Sequence, residues 1–137
     1  MPEAILVVDD EPELELLIEQ KFRKQITEQH LVFRFAANGE HALELLAENQ
    51  DISLILTDIR MPGMDGLELL EEIKSMANPV RKTIMVSAYA DMGNIRTAMN
   101  RGAYDFITKP VDLNDLVLTI DKALKEISGL RKSLHSG

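Results

Sequence analysis

The sequence contains no cysteine, which excludes a disulfide framework and thiolate metal sites and suits a reducing, cytoplasmic setting. Long apolar runs are missing too. The longest unbroken one is Ala4 to Val8, far short of a bilayer span, so no membrane association is expected. Met1-Pro2-Glu3 offers no basic segment of the kind that opens a secretion signal. Basic residues are outnumbered, 15 against 23 acids, for a net charge of -8. That deficit argues against direct nucleic-acid binding by this chain, which would need clustered Lys and Arg. No glycine-rich phosphate loop follows the first apolar run, so nucleotide binding of that kind is not expected. His30, His41 and His135 are dispersed and do not pair with the acids discussed below, which leaves histidine catalysis and zinc without a basis.

What is present is a chain of 137 residues, 45% hydrophobic and 28% charged, long enough to bury one self-sufficient core. Four short apolar runs organise it. Ala4 to Val8 ends in Asp9 and Asp10, and Ser53 to Thr57 ends in Asp58. Thr83 to Val86 ends in Ser87, and Tyr104 to Thr108 ends in Lys109-Pro110. A further segment, Leu31 to Ala36, alternates in polarity as an edge strand does. Between these lie amphipathic stretches. Glu11 to about Gln29 carries Leu14, Leu17, Ile18, Phe22 and Ile26 on one stripe, with Asp10 as its cap and Pro12 in its first turn. Others follow Asn38-Gly39, follow the loop Met61 to Gly66, span Asp91 to Arg101, and begin near Asp112. Five strand–helix repeats in so short a chain imply a doubly wound α/β fold with a parallel sheet, not a barrel. In such sheets the ligand crevice lies beyond the carboxyl ends of the strands, where the strand order reverses.

Asp9, Asp10 and Asp58 then share one rim of the sheet. Two carboxylates about 4 Å apart repel by roughly 4 kcal/mol at an effective dielectric of 20. The cluster therefore needs a cation or raised pKa values. Hard oxygen donors without His or Cys favour Mg²⁺, with Mn²⁺ able to replace it. Asp58 can attack phosphorus to give an acyl phosphate. Lys109 and the metal would neutralise the equatorial oxygens, and the Ser87 hydroxyl can donate to one of them.

Val8-Asp9-Asp10, the stretch Leu56 to Gly66, Ser87-Ala88 and Lys109-Pro110 together resemble the receiver domain of bacterial two-component response regulators, over residues 4 to about 127. The resemblance implies a flavodoxin-like three-layer sandwich with strand order 2-1-3-4-5. It implies Asp58 as phosphoacceptor, served by the phosphohistidine of a histidine kinase or a phosphotransfer protein. It matches Asp9 and Asp10 to the Mg²⁺-holding pair, with the main-chain carbonyl of Arg60 as a further ligand. Lys109 and Ser87 match the phosphoryl-binding residues, Phe106 the aromatic that turns inward on activation, and Lys109–Pro110 a cis bond. In the family the places of Arg60 and Tyr89 vary and tune access of hydrolytic water. Tyr104 reads as packing.

The expected output is a change on the face made by Asp91–Arg101, the last strand and the last helix. Leu113, Leu116, Ile120, Ala123, Ile127, Leu130 and Leu134 recur at spacings of three and four. Ile127, Leu130 and Leu134 read as more than one domain needs. They suggest a helical extension over 128–137 and a homodimer through 91–134, weakened by Gly129. The chain-end composition is that of the front of a longer protein with a C-terminal output domain, in the manner of receivers ahead of cyclases or serine phosphatases. The alternative functions are a constitutive interaction or dimerisation module with an unused acid site, and a stand-alone Mg²⁺-dependent phosphatase.

Overall fold

The structure, a computed structural model, describes residues 2–136, with side chains through Leu134. Met1, Gly137 and the expectation for the His135 side chain lie outside the described residues. Five strands, β1 Glu3–Val8, β2 Leu31–Ala36, β3 Ile52–Thr57, β4 Lys82–Ser87 and β5 Asp105–Thr108, form one sheet. All pairings are parallel and the order is β2-β1-β3-β4-β5. The fold expected from the sequence is therefore the one observed, with β2 on an edge.

Helices α1 Pro12–Lys21, α2 Arg23–Thr27, α3 Gly39–Glu48, α4 Gly66–Ser75, α5 Met92–Asn100 and α6 Leu113–Ser136 cover the sheet. The two-residue period of β1 explains how. Ile5 and Val7 join Leu14, Ile18, Leu116 and Ile120 under α1 and α6. Ala4, Leu6 and Val8 join Ala42, Leu46, Leu69 and Ile73 under α3 and α4. β3 is buried along its whole length, as a central strand between two helical layers must be. Each large aliphatic side chain so buried stabilises the fold by about 1.5–3 kcal/mol.

Two details differ from the sequence reading. The single helix expected over Glu11 to Gln29 is broken at Phe22, whose backbone leaves helical angles (φ -103°, ψ 17°). Its ring is buried 5.5 Å from that of Phe33, so packing against β2 outweighs helix continuity. Asp10 is also not the cap of α1. The N-cap is Glu11, without a side-chain bond, and Pro12 takes the first helical position.

The tail is a third departure. Ile127 is fully buried in the core rather than surplus to it. A helix from Leu113 to Arg131 is about 27 Å long, longer than a six-residue strand of about 20 Å, so it spans the whole sheet. Arg131 accordingly reaches the start of β1. Its NH1 contacts both carboxylate oxygens of Glu3 at 2.6 Å, and Glu3 accepts a further bond from Ser53 at 2.9 Å. Leu130 and Leu134 are exposed.

Ala77, just past the end of α4, sits at φ 55°, where a Cβ costs about 1–2 kcal/mol and glycine pays roughly 0.5–1 kcal/mol in chain entropy instead. Ala77→Gly is therefore expected to raise the unfolding free energy by about 0.5–1 kcal/mol. Urea denaturation with an unchanged slope is the measurement, and an unchanged midpoint would contradict the strain.

Candidate functional site

The order of the strands reverses between β1 and β3, and their carboxyl ends deliver the acids. Asp58 extends the pairing by donating its N–H to the Val8 carbonyl at 3.1 Å, and Asp9 does the same to Ala36 at 3.0 Å. Both side chains are almost wholly shielded, at 5% and 3% exposure. The loop leaving β5 brings in Lys109, whose N–H donates to the Ser87 carbonyl at 3.0 Å. The Lys109–Pro110 bond is cis.

Lys109 Nζ lies 2.8 Å from Asp9 Oδ2 and 2.8 Å from Asp58 Oδ2, bridging the two carboxylates. Burial pulls the Lys109 pKa down. The hydrogen bonds to Asp58 and Asp9, with the charges behind them, outweigh that effect and hold the pKa above the ordinary lysine value. The group is an ammonium throughout the physiological range. Asp58 Oδ1 accepts the Ile59 N–H at 2.6 Å, and Asp9 Oδ1 accepts the Glu11 N–H at 2.9 Å. Each acid is thus aimed by one backbone donor and one ammonium.

A further acid, one the sequence reading did not name, joins Asp9 and Asp58. Ligand atoms of Asp9, Glu11 and Asp58 lie within 4.8 Å of one another; Asp10 and Glu11 are both exposed, and Asp10 is outside that group. Three carboxylate donors with no sulfur or imidazole among them fit a hard divalent cation such as Mg²⁺ or Mn²⁺. His41 lines a cavity of about 250 Å³ with Asp9, Glu11 and Glu15 but is not in the acid group. His30 stands beside Glu28, before β2.

The remaining expected residues surround this cluster. Ser87 is fully buried and its Oγ accepts the Tyr89 N–H at 3.1 Å. Phe106 is half-buried against Ile59, Leu70, Met85 and Ala98. Arg60 is exposed, and its guanidinium stacks over the Tyr89 ring at 4.4 Å from the centroid. Tyr104 packs on the opposite core cluster, as the sequence suggested.

One positioning residue escaped the sequence reading, which took Met61 to Gly66 only as loop. Asp65 caps α4 by accepting the Glu68 N–H at 2.8 Å, while Glu68 accepts the Asp65 N–H at 3.1 Å. That reciprocal cap presses Gly66 against the backbone of Asp58, where an added Cβ would stand 1.9 Å from the carbonyl oxygen. The signal was available as an Asp-Gly pair with a glutamate three residues after the aspartate.

A buried aspartate bridged by lysine to a second acid, at the strand-order switch of a 2-1-3-4-5 sheet, is matched by a family model. The model describes the response regulator receiver domain and covers residues 5–121. The chain belongs to the response regulator receiver domain family. It is similar to the regulatory protein AtoC of Escherichia coli (strain K12), with 38% identity over 96% of this chain and 29% of that protein. It is also similar to sporulation initiation phosphotransferase F of Bacillus subtilis (strain 168), with 34% identity over 90% of this chain and 95% of that protein. A receiver domain protein described as CheY-like, from Methanospirillum hungatei JF-1, superposes with a TM-score of 0.77 at 32% identity, covering 94% of this chain and 98% of that one. The receiver spans between 24% and 29% of the length of the AtoC, NtrC and PilR relatives it matches. No described helix is long and apolar enough to cross a membrane.

Proposed function

We propose that this receiver is a phosphorylation-operated switch in two-component signalling, with Asp58 as phosphoacceptor. The observation that carries the reading is the buried Asp58 carboxylate, held by Lys109 beside Asp9 and Glu11 in the crevice. A carboxylate oxygen of Asp58 attacks the phosphorus of a phosphohistidine on a histidine kinase or phosphotransfer protein. The P–O bond forms, the P–N bond breaks and the imidazole leaves. Lys109 exchanges its contact with Asp58 for a phosphoryl oxygen while keeping Asp9. The Ser87 hydroxyl turns from the Tyr89 amide and donates to another oxygen. Mg²⁺ or Mn²⁺ would be held by Asp58 and Asp9, with Glu11 or Asp10 and the Arg60 carbonyl completing the set, and would neutralise phosphoryl charge.

Shifting a two-state population from 1:99 to 99:1 needs about 5.5 kcal/mol, whereas one charge-assisted hydrogen bond supplies about 1.5–3 kcal/mol. Ser87 alone is insufficient, so Lys109, burial of Phe106 and a partner on the α5–β5–α6 face share the change. Residues 4–127 act as the receiver and 128–137 as an extension towards a C-terminal output domain or a second copy, its first turn fastened by Arg131 to Glu3. The setting is cytoplasmic.

Incubation with acetyl phosphate and Mg²⁺ tests the reading, and one labile adduct per chain is the expected result. A constitutive interaction module would yield no adduct, and a phosphatase would release phosphate over many turnovers.

The Arg60–Tyr89 stack shields the acyl phosphate from water in this reading. A cation–π contact at an exposed site is worth about 0.5–1 kcal/mol. Arg60→Ala and Tyr89→Ala are therefore each expected to shorten the phosphoryl half-life about two- to fivefold. Half-lives equal to the parent's in both variants would remove the shielding role.

A further inference from the structure

On the rim opposite Asp58, where β3 and β4 begin, two cavities adjoin. One, of about 470 Å³, is bounded by Leu46, Met76 and Pro79, and the other, of about 170 Å³, by Lys74 and Arg101. Asn78 and Arg81 line both. In a chain of net charge -8, three cations converge there, and no carboxylate is among the described residues lining either cavity. Arg101 has a partner in Glu71 at 3.4 Å, while Lys74 is exposed.

Arg81 is the decisive residue. Its Nε donates to the Ile52 carbonyl at 2.8 Å, and its NH1 meets only the Met76 sulfur at 3.7 Å. Its NH2 is buried with no partner. A guanidinium carries five N–H donors in a planar fork, and leaving buried donors unmatched is costly. Burial lowers the Arg81 pKa, with Asp51 opposing it. Arg81 lines both cavities, so an oxyanion seated there meets its charge, and a small turn of the guanidinium brings the shielded NH2 within reach of it. The larger cavity falls in the size range of small-molecule sites, about 300–1,000 Å³, which leaves room for more than an inorganic ion.

We infer that the two adjoining cavities together bind a small organic phosphate, with its phosphoryl group among Lys74, Arg81 and Arg101 and its less polar body against Leu46, Met76 and Pro79. This site is separate from Asp58 and does not depend on the role assigned there.

Amide chemical-shift mapping with adenosine monophosphate, inorganic phosphate and adenosine tests it on the whole chain. The nucleotide is expected to give saturable shifts at Gln50, Ala77, Asn78, Thr83 and Gly102, inorganic phosphate weaker ones at the same places, and adenosine none. Lys74→Glu, a change at an exposed position, is expected to keep the parent spectrum and weaken the nucleotide at least about tenfold, or 1.4 kcal/mol. Arg81→Lys, which keeps the charge and loses the fork, is expected to weaken it as well. Absence of saturable shifts, shifts centred on Asp9 and Lys109, equal binding of adenosine, or affinity that survives both substitutions would each overturn the assignment.

Discussion

Asp58→Asn is expected to abolish labelling by acetyl phosphate, lowering the rate at least about a hundredfold, or roughly 2.7 kcal/mol of barrier. The shape of the side chain is preserved, so its carbonyl oxygen can still accept the Ile59 N–H that Asp58 Oδ1 now takes at 2.6 Å. What disappears is the anionic oxygen that forms the new bond to phosphorus. The Lys109 ammonium keeps its contact with Asp9 at 2.8 Å, so the rim retains a charge pair and the fold should persist. Chelating the divalent cation is expected to suppress labelling of the parent to a similar degree. The acids then face the incoming phosphoryl oxygens with Lys109 as the sole neutralising charge among the residues that touch Asp58. Labelling is read by phosphate-gel mobility or intact mass, with circular dichroism confirming that the variant is folded. An Asp58→Asn chain modified at the parent's rate would move the acceptor to another residue.

The strand ends were legible because burial on both faces leaves a plain signature. Ile52 to Thr57 is buried throughout, and its sequence is an apolar run bounded by polar residues. Once such runs and the flanking edge strands alternate with helices, the placement of Asp9, Asp58, Ser87 and Lys109 on one rim follows from chain direction alone. The approach of Glu11 to Asp9 and Asp58 was not legible in that way, since it depends on backbone angles over two residues between β1 and α1. The break at Phe22 was hidden for a similar reason. Helical periodicity continues through it, and only the distant Phe33 ring explains why the chain turns. Ile127 was misjudged because spacing along a helix does not reveal how far the sheet beneath it extends. The basic cavity around Arg81 was invisible to sequence because Lys74, Arg81 and Arg101 belong to three separate segments, brought together only where helices α4 and α5 end.

Gly66→Ala is expected to be the most damaging single-methyl change in the chain, costing roughly 3 kcal/mol or more of the 5–15 kcal/mol that holds a typical domain folded. The added Cβ would lie 1.9 Å from the Asp58 carbonyl oxygen, 2.8 Å from its carbonyl carbon and 2.9 Å from Ile59 Cα. All three are backbone atoms, so no rotamer change relieves the overlap. Retreat of α4 is opposed by the Gly66 N–H bond to the Ile59 carbonyl at 2.7 Å and by the Asp65–Glu68 cap. Retreat of the other side displaces Asp58 itself, whose carbonyl also accepts the Thr57 hydroxyl at 3.0 Å. Stability and phosphoryl acceptance should therefore fall together, the second even in the fraction that remains folded. Gly129→Ala is the matching control, because nothing lies within 4 Å of its added Cβ. There the helix should gain about 1 kcal/mol from the better helix former, with labelling unchanged. Urea unfolding and the rate of adduct formation separate the two cases. Parent-like stability in the Gly66 variant would mean that α4 is not pressed against Asp58, and that the acceptor's position is set by Lys109 and the Ile59 amide without it.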